Sequence, residues 1–356
     1  MKQSLLALAL LGAFAGVAQA QSAVQIYGTV DAGMIKRTDQ SLAIGKRANN
    51  TLGFKGTEDL GNGLKAVFQL EIRYEPDSGT IEQGGGGVQR PLFQGQSRVG
   101  LQGAFGMIRL GRGLTAFQET STQFEPFHGI PSPAGFQTDL TVGGYTSDPL
   151  GLVGNSTNRF SNAIFYNSPE INGFQVNTTI GTKEGSPGST AIVGRGTAVA
   201  PQFRSGSDAS ANPYSVSATY KNGPAALMAA VERNAVETRL WSIAGSIMAS
   251  PDLKLMASHT RQDRGHTFIN NEEARAWVVG ANYTMGAGKL LAGYGQKNQG
   301  AVNVGMQKTK QFSLGYEYSL SKRTYIYLDA SNKKGPATAT TPSSMNIYAV
   351  GVNHAF

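Results

Sequence analysis

The chain has 356 residues, 31 basic and 23 acidic, for a formal charge of +8, with 46 glycines and no cysteine. Without cysteine there is no disulfide and no thiolate metal site. The basic balance fits an anionic partner, but no basic-aromatic motif for nucleic acid is present.

Taken in order, the first element is a leader. Met1 to Ser4 carries Lys2, Leu5 to Val17 is apolar and small, and Ala18-Gln-Ala20 is an A-x-A cleavage site. Residues 1–20 therefore read as a cleaved signal peptide and 21–356 as the mature chain. The apolar run is too short for a comfortable spanning helix, and no other long apolar stretch follows.

From there the period is two. Leu52 and Phe54 alternate with Thr51, Gly53 and Lys55. Ala66, Phe68, Leu70 and Ile72 alternate with Lys65, Val67, Gln69, Glu71 and Arg73. The pattern recurs at Trp277, Val279, Ala281 and Tyr283, and at Phe312, Leu314, Tyr316 and Tyr318. Such alternation marks strands with one apolar and one polar face. Each strand is about ten residues long, the span of a tilted membrane strand, and the polar faces suit a wet lumen better than a sandwich core.

Strand starts are expected near 24, 49, 64, 94, 106, 159, 173, 213, 224, 238, 253, 275, 288, 309, 322 and 346. Seven short turns, such as Leu60-Gly-Asn-Gly63 and Met285-Gly-Ala-Gly288, alternate with eight longer polar loops. Fifteen connections join sixteen strands, an even number that closes an antiparallel barrel around an aqueous channel. The predicted fold is a sixteen-stranded antiparallel transmembrane β-barrel. The last strand ends on Phe356, in phase with Tyr348, Val350 and Val352. It is expected to pair with the first strand and leave no edge.

Six segments stand out: Gln25-Ile-Tyr-Gly-Thr-Val-Asp-Ala-Gly33, the hairpin from Gly53 to Glu71, Ile108-Arg-Leu-Gly-Arg112, Arg159 to Phe174, Leu320-Ser-Lys-Arg-Thr324 and the terminal Gly-Val-Asn-His-Ala-Phe356. Together they resemble the general porins of beta-proteobacteria. Thr51 stands where members often carry arginine. The resemblance implies an outer-membrane homotrimer with short periplasmic turns and long extracellular loops, passing small hydrophilic solutes. It implies contact with outer-membrane lipid and lipopolysaccharide, insertion by the barrel assembly machinery with Phe356 as the signal, and no cofactor. It also implies a third loop, about 113–158, folded into the barrel as the constriction.

Residue charges suggest how that constriction works. Residues 83–118 contain Arg90, Arg98, Arg109 and Arg112 and no acid or lysine; residues 113–158 contain Glu119, Glu125, Asp139 and Asp148 and no arginine or lysine. Strand parity turns Lys55, Arg73, Arg98 and Arg109 toward the lumen, while Arg112 is out of phase. Lys55, Arg73, Arg98, Arg109 and Arg112 are the expected basic wall, faced by Glu119, Glu125 and Asp139 across the narrowest point. Such a wall favours anions mildly. Glu125-Pro-Phe-His-Gly129 is the expected loop tip, and Lys36, Lys46 and Arg47 are expected to be loop or rim charges.

No enzyme is expected. His128, His259, His266 and His354 have no metal-ligand spacing, and no Ser/His/Asp set is legible, which leaves an outer-membrane hydrolase a poor reading. Gly84 to Gly87 lacks the lysine and helix of a phosphate cradle. A substrate-specific channel or an adhesin on the same barrel is the alternative; for a sugar pore, Tyr325 and Tyr327 alone do not make an aromatic ladder.

Overall fold

A computed structural model describes residues 23–82, 90–129, 134–143, 145–149, 158–183, 190–192, 203–205, 211–235, 237–263, 271–301, 305–337 and 342–356. The expected leader, the run Gly84 to Gly87 and His266 lie outside these. Alternation of apolar and polar side chains along the chain produces sixteen barrel strands. They are β1 (Ala23–Arg37), β2 (Asn50–Gly61), β3 (Leu64–Tyr74), β4 (Gln96–Gly103), β5 (Gly106–Leu114), β6 (Arg159–Asn167), β7 (Phe174–Gly181) and β8 (Tyr214–Asn222), followed by β9 (Ala225–Arg233), β10 (Arg239–Met248), β11 (Leu253–Asp263), β12 (Asn271–Met285), β13 (Gly288–Ala301), β14 (Gly305–Ser319), β15 (Thr324–Lys334) and β16 (Ser344–Ala355).

Every neighbouring pair is antiparallel, and β1 closes the sheet by pairing with β16, from Thr29↔Ala355 to Arg37↔Ile347. Its first half pairs with β2, from Ala23↔Thr57 to Thr29↔Thr51. The end of the chain locks this seam. The Phe356 amide donates to the Gly28 carbonyl (3.0 Å), and the Gly28 amide donates to Phe356 (3.1 Å). The Phe356 ring lies where a Cβ on residue 28 would stand, 2.5 Å from it, so only glycine admits this closure.

Outward faces carry exposed apolar side chains: Ile26, Val99, Leu110, Ile164, Leu227, Ile243, Val279, Leu314 and Leu328 are all exposed. No described helix is long and apolar enough to cross a membrane; the strands cross instead, their backbone groups pairing strand to strand in the closed ladder. Two strands begin four residues earlier than alternation predicts, β12 at Asn271 and β14 at Gly305. Beyond the membrane band both faces are solvated, so the hairpins continue while the apolar alternation stops.

The loops hold small elements that carry no such periodicity. Ala43–Gly45 pairs with β1, Thr190–Ile192 pairs with Phe203–Ser205, and the third loop contains helix α1 (Ala116–Ser121) and a π-helical turn at Gln137–Thr141.

Candidate functional site

The third loop turns into the barrel because its apolar side chains find a matching wall. Phe117, Phe124, Phe127, Phe136 and Tyr145 are at most 1% exposed. Phe117, Phe124, Val142 and Tyr145 pack on Met228, Ala230, Leu240 and Ala244 of β9 and β10. Phe127, Phe136 and Leu140 pack on Ala276, Val278 and Leu291 of β12 and β13. Each such ring stabilises the folded-in loop by about 1.5–3 kcal/mol.

Close approach also needs absent side chains. A Cβ on Gly280 would lie 2.6 Å from Pro126, one on Gly293 2.5 Å from Phe136, one on Gly295 2.7 Å from Leu140 and one on Gly315 2.7 Å from Phe127. The lumenal face of β12–β14 is thus a smooth bed for the loop.

Polar groups hold the loop at both ends. Glu232 accepts from Thr115 Oγ1 (2.6 Å) at its entry and from Ser147 Oγ (2.5 Å) at its exit. Thr115 also caps α1 by accepting from the Gln118 amide. Along the way Gln262, Lys297 and Gln311 donate to the carbonyls of Thr141, Gly143 and Gly135. Sequence reading missed Glu232, since a lone acid at an inward strand position gives no signal of what it holds.

With the loop laid along β8–β15, the arginines of β4 and β5 face its first helix. Glu119 on α1 meets Arg98 at 2.7 Å and Arg109 at 3.5 Å. Arg98 also donates to Gln69 (3.0 Å) and lies over the Phe165 ring at 5.1 Å. Arg109 donates to Asn167. Beside them a pocket of about 350 Å³ is lined by Gln25, Lys55, Gln69, Arg98 and Arg109. Lys55 sits 5.1 Å from the Tyr27 ring and makes no ion pair among the described residues. Two guanidinium groups sharing one carboxylate, with a lysine at the same pocket, leave this region positive.

The five wall residues form two groups rather than one. Arg73 and Arg112 belong with Arg90 and Arg159, nearer the long-loop end and stitched to the 75–95 segment. Arg73 is 3.5 Å from Glu71, Arg90 binds Glu82 (2.8 Å), Arg112 donates to the Gln94 carbonyl (3.1 Å) and to Ser161 (2.7 Å), and Arg159 donates to the Gly95 carbonyl. Simple parity fails for Arg112 because the β5–β6 ladder shifts register between Gly111 and Gly113, and Gly111 adopts φ +127°. Arg112 then lies 3.8 Å from Asp148.

Two expected acids do not face these arginines. Glu125 is folded into the loop itself, accepting from the amides of Gly129 (2.5 Å) and Phe136 (3.0 Å). Burial pushes its carboxyl up to about 7 against those hydrogen bonds. Asp139 binds Lys333 of β15 (2.9 Å), on the other side of the barrel. The tip residue His128 stands 3.2 Å from Lys289.

Of the expected loop or rim charges, Arg47 is corrected and Lys46 is not. Lys46 is bound by Glu75 and Glu82, both at 2.8 Å. Arg47 is fully buried, paired with Glu317 (2.7 Å) and Asp329 (2.8 Å) and lying 4.9 Å from the Tyr327 ring. The segment that carries it folds inside the barrel, where its amide donates to Asp31 (2.6 Å). The inward Tyr325 and Tyr327 are engaged by this arginine and by Asp31. His259 lies in β11 and packs against Trp241 of the outer face, with ring centroids 5.3 Å apart and planes tilted by 58°.

A family model described as Gram-negative porin matches residues 7–338. An outer membrane porin protein of Bordetella pertussis is 28% identical over 413 residues, covering 100% of both chains. Outer membrane porin protein 32 of Delftia acidovorans is 31% identical over 374 residues, 99% of this chain and 95% of that one. Among solved structures, an anion-selective porin from Comamonas acidovorans shares the fold with a TM-score of 0.73 at 22% identity, covering 94% of this chain and all of the other. Full-length likeness in sequence, a closed sixteen-stranded barrel and a loop laid along its inner wall agree: this chain belongs to the Gram-negative porin family.

Proposed function

We propose that this outer-membrane channel, which passes small hydrophilic solutes by passive diffusion, prefers anions mildly, and that Lys55, Arg98 and Arg109 set that preference. The observation that carries the reading is the shared carboxylate: Glu119 serves both Arg98 and Arg109, and Lys55 lines the same pocket with no ion pair among the described residues. Excess positive charge along a permeation path raises the local anion concentration. Glu119 keeps the preference mild, and Arg73 and Arg112 act as a second positive zone nearer the long loops. The related anion-selective porin supports the same sign. In this reading the barrels assemble as a homotrimer inserted through the terminal Phe356, as the family resemblance implies.

Planar-bilayer recording under a KCl gradient tests the reading. The parent channel should show a reversal potential on the anion side. Arg98→Glu and Arg109→Glu should each move it toward cations. A cation-selective parent sinks the anion assignment; no shift in either variant removes these residues from the permeation path.

A further inference from the structure

One wall of the lumen carries charge of the sign opposite to the basic pocket. Asp31 of β1, Glu317 of β14 and Asp329 of β15 are buried on inward positions, next to the outward Val30, Tyr318 and Leu328. Glu317 is two residues from Gly315, the ladder partner of Asp329. Asp31 is tied to the same strands, accepting from Tyr327 Oη (3.0 Å) and Asn353 Nδ2 (2.9 Å). Carboxylates clustered on a pore wall attract cations, whereas the pocket beside Lys55, Arg98 and Arg109 is positive.

Into this patch the chain inserts one arginine. The ladder on the β2 side of β1 breaks after Thr29↔Thr51 and resumes at Gly33↔Gly45. Lys46 to Asn50 therefore stand opposite Val30 to Ala32, two residues too many, and the surplus bulges into the barrel. Asn50 repairs the break: its Nδ2 donates to the Asp31 carbonyl (3.1 Å), and its Oδ1 accepts from the Asp31 amide. The bulge is pinned on both sides. Lys46 binds Glu75 and Glu82, and the Arg47 amide donates to the Asp31 carboxylate (2.6 Å).

The Arg47 side chain then reaches two acids at once, Glu317 (2.7 Å) and Asp329 (2.8 Å), with the Tyr327 ring 4.9 Å away. Lys289 takes the other oxygen of Glu317 (3.1 Å) and stands 3.2 Å from His128 at the tip of the third loop. A Cβ on Gly315 would meet both Asp329 and Phe127 of that tip at 2.7 Å. The patch is thus level with the inward loop. Three carboxylates meet two cations there, and without Arg47 they would meet one.

We propose that Arg47 is a specificity-determining residue of the channel: carried inward by the bulge, it masks a cation-attracting carboxylate patch and leaves the sign of selectivity to the basic pocket. Its guanidinium is fully buried, so it offers anions no site of its own and acts by cancelling charge. Asp31 is six residues along β1 from Gln25, which lines the basic pocket, a distance of roughly 20 Å at about 3.3 Å per residue. That exceeds the screening length of about 10 Å at 0.1 M salt. Patch and pocket are therefore separate stations on one path. The inference rests on the permeation reading above but not on the parent's anion preference, because each variant is read against the parent.

Planar-bilayer recording under a KCl gradient near 0.1 M tests it, since the field of one charge still extends about 10 Å at that strength. Arg47→Gln should lower the anion-to-cation permeability ratio roughly twofold, the effect of one unit charge about 10 Å from the path. Asp329→Asn, which keeps the arginine, should raise the ratio by a similar factor. Arg47→Gln combined with Asp329→Asn restores the net charge of the patch and should return the ratio to near the parent value. Only folded, inserted barrels give conductance steps, so the ratio is readable even where a variant folds in low yield. A merely structural Arg47 predicts the reverse: both single variants move the ratio the same way, and the double variant does not recover. Either of those results, or no shift in the two single variants, overturns the proposal. A cation-selective parent with the two opposed shifts intact would sink the anion assignment alone and uphold this inference.

Discussion

At the scale of single residues, the third loop contains a carboxylate whose charge works against its surroundings. Glu125 is enclosed by the loop it organises, and burial raises its pKa from an ordinary 4.5 to about 7. A raised folded-state value means that the neutral form fits better. The stability it contributes is complete below about pH 4.5 and is lost as pH rises through about 7. Hydrogen exchange at the amides of Gly129 and Phe136, corrected for intrinsic rates, should show weaker protection at pH 8 than at pH 5. Glu125→Gln should keep protection high at both. An unaltered pH response in that variant would place the titrating group elsewhere. The sequence announced Glu125 only as one acid in an acidic loop. Which acids reach arginine was decided by the backbone path: Glu119 lies on the helix that faces β4 and β5, whereas Glu125 is a few residues further on, where the chain has already turned back on itself.

At the scale of elements, the loop and its bed of glycines are one unit. Alternation identified the strands because apolar and polar faces meet different solvents, and it identified the loop because 45 residues broke that alternation. It did not show that the lumenal face of β12–β14 is built to receive the loop, since an inward glycine reads the same whether it faces water or a ring. Gly293→Val puts a methyl-bearing carbon where Phe136 and Pro126 now lie, 2.5 and 2.9 Å from the ideal Cβ. Overpacking of this kind costs about 1–3 kcal/mol. The cost should fall on the loop rather than on the barrel: single-channel current should become noisier and its mean conductance change, while the thermal unfolding midpoint stays near that of the parent. A variant with a quiet, unchanged channel would show that the loop does not depend on this contact. The bulge at Gly111 teaches the same lesson, because one glycine at positive φ shifts the register and cancels the parity that left Arg112 out of phase.

At the scale of the whole molecule, the barrel is closed twice. The first closure is the ladder from β1 to β16, ending on the mutual hydrogen bonds of Gly28 and Phe356. The second is internal: Arg47 enters from the connection after β1 and joins Glu317 of β14 and Asp329 of β15, while Asp31 of β1 receives Tyr327 of β15 and Asn353 of β16. Removing one partner of a buried ion pair leaves uncompensated charge and costs about 3–5 kcal/mol. Arg47→Met should therefore lower the midpoint of heat-induced unfolding, read as the shift in electrophoretic mobility of the boiled form, and should do so more than Lys46→Met, whose ion pairs are partly exposed. Equal midpoints for the two variants would reduce Arg47 to the rim charge that its sequence neighbourhood suggests.

The sequence by itself determined the barrel: its sixteen strands, its long and short ends, its lipid face and its terminal seam. These follow from a period-two pattern repeated between turns, and such a pattern is local. Only the tertiary structure decided the charge partners, because they come from strands remote in sequence. Arg47 and Glu317 are 270 residues apart, and Arg98 meets Glu119 only after the chain has left the barrel wall and folded back inside. Hydrophobic alternation is written along each strand, whereas the pairing of charges depends on which strands the closed sheet and its inward loop bring face to face.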